Sequence, residues 1–151
     1  MNNPLDKTLQ NIIELAWLFS SKGLDGTCCM NISLAELKAL QTVVIRPECP
    51  VQDIGKTLDF TKSGATRIVN RLEKKGLVVK IRSKQDGRIC CLSATTEGQK
   101  TLQEALSNTT EQLHKTLSDL PQRDKQAVAD ALELIVNKLQ WDNTCTATCE
   151  E

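Results

Sequence analysis

"VQDIGKTLDFTKSGATRIVNRLEKKG", residues 51–76, carries two apolar stripes separated by a break of three residues. Val51, Ile54 and Leu58 share one face of a short helix. Thr61 is placed to cap a longer one, on which Ala65, Ile68 and Leu72 recur at helical spacing. The break, Asp59 to Thr61, is too short for anything except a sharply angled pair, so the spacing predicts a helix-turn-helix. Gly76 stops the second helix after Lys74 and Lys75 have set positive charge at its negative end.

Opposite the apolar stripe of the second helix lie Lys62, Ser63, Thr66, Arg67, Asn70, Arg71 and Lys74, each able to donate a hydrogen bond. A merely solvated face would alternate acids with bases, yet the only acid here is Glu73. A helix fits the major groove of double-stranded DNA, where arginine can grip guanine and asparagine adenine. Serine, threonine and lysine near the helix start suit phosphates. Gly64 costs about 1 kcal/mol against alanine inside a helix, so close approach of another helix or of a DNA backbone is expected there.

Next along the chain, "LVVKIR" reads as a strand, with Leu77, Val79 and Ile81 on one side and Val78, Lys80 and Arg82 on the other. "SKQDG" is a polar bend and "RICCLS" the partner strand, so a hairpin follows the helix pair directly. Its tip offers Lys84, flanked by Arg82 and Arg88, and arginine is attracted into a narrow minor groove. Asp86 is acidic where DNA is expected, so its assigned task is to orient an arginine by a charge-assisted bond.

Upstream, Leu5, Leu9, Ile12, Ile13, Ala16 and Trp17 predict a first helix to about Ser20 with one stripe buried, broken by Gly23 and Gly26. Ser33 and Glu36 form a capping-box pattern for a second helix through about Ile45, which the loop "RPECP" ends. Downstream, Thr95 or Thr96 caps a helix through Leu102, Leu106, Leu113 and Leu117, reset at Leu120-Pro121. A last helix carries Val128, Ala131, Leu132, Ile135 and Leu139, with Trp141 just past it. A domain this small has limited core for such long amphipathic helices, so leftover apolar face predicts a subunit interface.

The 151 residues fit one compact domain. No charged start precedes an apolar stretch and no run of eighteen apolar residues occurs, which predicts a cytoplasmic protein with no membrane partner. Formal charge sums to zero, but residues 51–92 hold ten Lys and Arg against four acids, a net +6, leaving −6 elsewhere. A basic middle between acidic ends is the distribution a DNA-binding module needs.

The helix pair followed by "RSKQDGR" and "LSATTEG" resembles the MarR family of winged helix-turn-helix transcriptional regulators, over nearly the whole chain. The specific part is Asp86-Gly87-Arg88, a strand, then Ala94-Thr95-x-x-Gly98, where Ala94 replaces the usual leucine. The resemblance implies a mainly α fold with a small β-hairpin wing and six helices. Residues 33–98 would bind DNA, and 1–32 and 99–151 would supply the helices of a homodimer on a palindromic operator, usually as a repressor. A Cys-containing tail would occupy 142–151. The inducer is not named by any residue pattern.

Seven cysteines fall in four clusters: Cys28 and Cys29, Cys49, Cys90 and Cys91, and Cys145 with Cys149. Neighbours on a strand point to opposite faces, so Cys90 and Cys91 cannot share one buried face. Cys145 and Cys149 lie beyond the last apolar stripe, and a spacing of four brings two thiolates onto one helical turn. Three readings stand: a thiolate-bound metal or metalloid ion, thiol oxidation, or cysteines that only fill space. With one histidine, His114, and no Cys-x-x-Cys pair, a closed structural zinc site is unsupported. Nothing catalytic is expected, since a Gly-rich phosphate loop and a paired-carboxylate motif are both absent. Two alternatives differ in class or in signal: a helical protein-interaction module without DNA binding, and a regulator released by a small organic ligand, its cysteines structural.

Overall fold

The computed structural model describes residues 4–21, 32–82 and 90–145. It divides into two compact units, Met1–Gln112 and Leu113–Glu151. The first holds α1 (Pro4–Ser21), α2 (Leu34–Ile45), β1 (Cys49–Pro50), α3 (Val51–Leu58), α4 (Lys62–Lys74), β2 (Val78–Arg82) and β3 (Cys90–Ala94). It also holds most of α5 (Thr96–Thr116), while the second unit holds the end of α5 and all of α6 (Gln122–Cys145). The expected mainly helical fold with a small antiparallel sheet is present.

Local chemistry sets the helix ends. Ser33 caps α2 as a full capping box: its Oγ accepts from the Glu36 N–H at 3.3 Å, and its own N–H donates to Glu36 Oε2 at 2.7 Å. α4 closes in a Schellman arrangement. Gly76, at φ +73°, donates to the Glu73 carbonyl, and the Leu77 N–H reaches the Leu72 carbonyl at 3.0 Å. The chain thereby turns out of α4 and straight into β2, with Leu72 and Leu77 both in the core.

The core lies between α2, α3, α4 and the sheet, where Leu40, Val43, Ile54, Val69, Leu72, Val78 and Leu92 are fully buried. Burying each such side chain contributes about 1.5–3 kcal/mol, which is what holds the two angled helices onto the strands. β2 pairs antiparallel with β3, Val78 opposite Ala94 and Arg82 opposite Cys90. Of the two strand faces, the one carrying Val78, Leu92 and Ala94 packs inward, while Val79 on the other is exposed.

Several expectations are corrected. "RPECP" is not only a loop: Cys49 and Pro50 pair with Leu92 and Cys91, making a three-stranded sheet of order β1-β3-β2. Two residues, one of them proline, show no alternation to read. Trp141 lies within α6, which continues to Cys145, because the polar turn after Leu139 contains neither glycine nor proline to stop it. The stripe of α1 is not buried within the chain, since Leu5, Leu9, Ile13 and Trp17 are all more than half exposed.

Candidate nucleic-acid interface

α4 sorts its side chains by face. Ala65, Ile68, Val69 and Leu72 are buried, whereas Lys62, Ser63, Thr66, Arg67, Asn70, Arg71 and Lys74 are all exposed, so all seven expected donors share one helix surface. The first turn is fixed by hydroxyls. Thr61 Oγ1 accepts from the Gly64 N–H at 3.2 Å and lies 3.1 Å from Ser63 Oγ. Thr66 Oγ1 donates to the Lys62 carbonyl at 2.8 Å.

The far end of α4 is anchored from behind. Lys75 Nζ, just past the helix, donates to Glu36 Oε2 at 2.8 Å, and the Glu36 side chain is only 3% exposed. Burial pushes the Glu36 carboxyl up, but the bond and charge of Lys75 with the donors of Ser33 outweigh it and hold the carboxyl below its ordinary value. One carboxylate therefore caps α2 and fixes the end of α4. A second tie joins α2 to α3 at their edges: Arg46 Nη2 donates to Thr57 Oγ1 at 3.0 Å.

A third tie involves a residue that the sequence analysis did not assign to the site. Lys80 Nζ, on β2, donates to Asn70 Oδ1 at 2.8 Å and to Glu73 Oε2 at 2.7 Å. Alternation does place Lys80 on the same side as Val78, the side that turns inward under α4. A lysine in that register must find its partners on the helix, which is the signal that could have exposed it. Glu73, the one acid on the helix, is thereby paired with a base of the sheet.

Arg82 is exposed at the root of the wing, opposite Cys90. Lys84, Asp86 and Arg88 lie outside the described residues, as do Cys28, Cys29 and Cys149. Cys145 ends α6. The three remaining thiols divide by environment: Cys49 and Cys91 are buried, and Cys90 is exposed at the start of β3, on the side of Leu92 but opposite the exposed Arg82. Burial pushes the Cys49 thiol up, against the opposing charge of Arg46, which makes it a poor thiolate and a core filler. Among the described residues, no group of three or more His, Cys, Asp or Glu is placed to hold a metal ion. A groove of about 970 Å³ runs between α3, α4 and the sheet, its wall including Val51, Phe60, Lys62, Thr66, Lys80 and Cys90.

A sequence profile of the MarR family matches residues 30–89, a span that contains α2, β1, α3, α4 and β2 and ends just before β3. The transcriptional repressor MprA of Escherichia coli is 30% identical over 122 residues, covering 81% of this chain and 64% of that repressor. The crystal structure of MarR superposes with a TM-score of 0.74 at 15% identity, over 95% of each chain. FabT of Streptococcus pneumoniae, solved in complex with DNA, gives 0.72 at 20% identity, over 90% of this chain and 95% of its own.

From α2 through β2 the chain carries the MarR-family pattern.

This is a family of transcriptional regulators, not of enzymes. In MarR terms, α3 and α4 are the helix-turn-helix, and β2 and β3 the wing. Ala94, where the family pattern has leucine, is half-buried at the end of β3. Thr95 keeps the junction by donating to the Gly76 carbonyl at 2.7 Å and accepting from the Gly98 N–H at 2.9 Å. Among the described residues no helix is long and apolar enough to cross a membrane.

Proposed function

We propose that this chain is a cytoplasmic repressor that binds a palindromic operator in double-stranded DNA as a homodimer, with α4 in the major groove and the wing over the neighbouring minor groove. The observation that carries it is the surface of α4, where seven donor side chains are exposed together while the opposite face is buried. Arg67 and Arg71 are the base-reading candidates, since arginine offers a bidentate fork to guanine, and Lys62, Ser63, Thr66 and Lys74 suit phosphates. Arg82 extends the cationic surface to the wing, and Lys84, Asp86 and Arg88 complete the proposed contact set. Apolar residues exposed along α1 and α6 support pairing of two copies through the terminal helices.

Binding of a fluorescent duplex from the region upstream of the gene, titrated across salt, tests this reading. Neutralised phosphates release counterions, so affinity should fall by orders of magnitude between about 50 and 200 mM salt. Affinity that ignores salt would overturn it.

Two readings of the signal rest on observations. The exposed thiol of Cys90 in the groove wall supports a response to oxidation or to a thiophilic metal or metalloid, and the groove itself supports release by a small organic ligand. Burial of Cys49 and Cys91 supports structural roles for those two. Operator binding measured with and without reductant, then with thiophilic ions and with small organic acids, separates the two. Serine at Cys145 and Cys149 tests the tail in the same assay.

A further inference from the structure

The contact between Lys80 and Asn70 bears on which bases α4 can read, and it rests on the reading that α4 enters the major groove. An ammonium group carries only donors, so the atom of the Asn70 carboxamide beside Lys80 Nζ must be the carbonyl oxygen, at 2.8 Å. Turning the amide over would set its NH₂ against a cation. Lys80 is itself held in place by Glu73, 2.7 Å away on the same helix. Asn70 is exposed, and with its oxygen engaged toward the sheet its two N–H donors are left for whatever lies against the helix.

A free asparagine grips adenine with both ends at once, accepting from N6 and donating to N7. Here one lone pair of the oxygen serves Lys80, and that bond holds the accepting end toward the sheet, with the amino group turned outward. What remains is a pair of donors on one nitrogen, which guanine answers with O6 and N7 and thymine with O4, whereas adenine offers N7 alone and sets its N6 amino group, itself a donor, against them. We propose that Lys80 is a specificity-determining residue: by fixing the Asn70 carboxamide it makes α4 select a keto base, guanine or thymine, over adenine at the position Asn70 contacts. Lys80 acts through Asn70 and is a positioning residue, and the sequence-based expectation that Asn70 reads adenine is replaced.

The test is selection of bound duplexes from a randomised pool by the full-length protein, followed by affinities for single-base variants of the selected site. Asn70→Ala identifies the position that depends on Asn70. There the unmodified protein should prefer guanine or thymine, and Lys80→Met should lose that preference and gain adenine by about tenfold, the scale of one base contact, with other positions unchanged. Lys80→Arg, which keeps the donors, should restore the original preference. Lys80→Gln, which keeps a polar group in place but frees the amide to turn, should behave as Lys80→Met does and carries the test if the methionine variant is unstable. The proposal is overturned by an adenine preference in the unmodified protein, by a preference unchanged in both Lys80→Met and Lys80→Gln, or by no position depending on Asn70. A pool from which the unmodified protein selects nothing, with no salt-sensitive binding to any duplex, overturns instead the DNA-binding reading beneath it.

Discussion

At the scale of single residues, Glu36 links two elements with one carboxylate, and removing its charge should be felt at both. Glu36→Gln keeps the shape but replaces the charged acceptor of the Lys75–Glu36 bond by a neutral one, so stability should drop by about 1.5–3 kcal/mol in urea unfolding at neutral pH. The pH dependence has a definite sign. The folded-state pKa of Glu36 lies below its unfolded value, so its contribution is complete above the ordinary carboxylate range and is lost as pH falls through the folded value. The gap between the parent protein and Glu36→Gln should therefore close on acidification, and a gap constant with pH would show that the ion pair is not its source. Gly64 makes a different prediction. The atoms nearest to an added Cβ belong to Phe60 and Thr61, none closer than 3.4 Å, so no other helix accounts for the glycine. Gly64→Ala should raise stability by about 1 kcal/mol in thermal unfolding and, if a DNA backbone is what needs the space, weaken operator binding about tenfold. Unchanged affinity would leave the glycine without a role at the interface.

Among the elements, the junction between β3 and α5 depends on one backbone approach. A Cβ on Gly98 would overlap the Leu77 carbonyl, which already accepts from the Thr95 N–H at 3.1 Å, and would press on Leu40. Gly98→Ala should cost about 1–3 kcal/mol, read as a lower denaturation midpoint with an unchanged slope. The Thr-x-x-Gly pattern was visible in the chain, but the reason for its glycine lies in Leu77, the residue just before β2 and about twenty positions earlier. The same division holds across the fold. The Ser33–Glu36 capping box, the Thr61 cap, the Gly76 stop and the apolar stripe of α4 are made by residues within a few positions of one another, so they were legible. β1 was not, because its two residues become a strand only by meeting Leu92 and Cys91. Lys80 was half legible: alternation gave its side of the strand, and only the packing of α4 over that side gave its partners.

For the whole molecule, the question is what covers α1 and α6. Period alone marked both as amphipathic but could not distinguish a face buried in its own chain from one awaiting another, and the expectation of a buried α1 stripe failed on that ambiguity. In the single chain Leu9 is 58% exposed and Leu132 47%, with Ile13, Trp17 and Leu139 exposed beside them in sequence register. Apolar faces of this extent mark an interface, and a second copy is the occupant proposed here. Charge segregation agrees, since the acidic ends are free of any need to meet phosphate. A glutamate at either position costs little in one chain, because both sites are exposed there, but it would be buried without a partner charge in the pair. Leu9→Glu and Leu132→Glu should each retain helicity and melting behaviour at low concentration while sedimenting as monomers. A monomer also forfeits the effective concentration that delivers the second winged unit to the second half-site. Affinity for the full palindrome should then fall by about 10²- to 10⁴-fold, while affinity for an isolated half-site stays as it was. Should both variants still sediment as dimers and bind the palindrome with parental affinity, the terminal helices are not the interface.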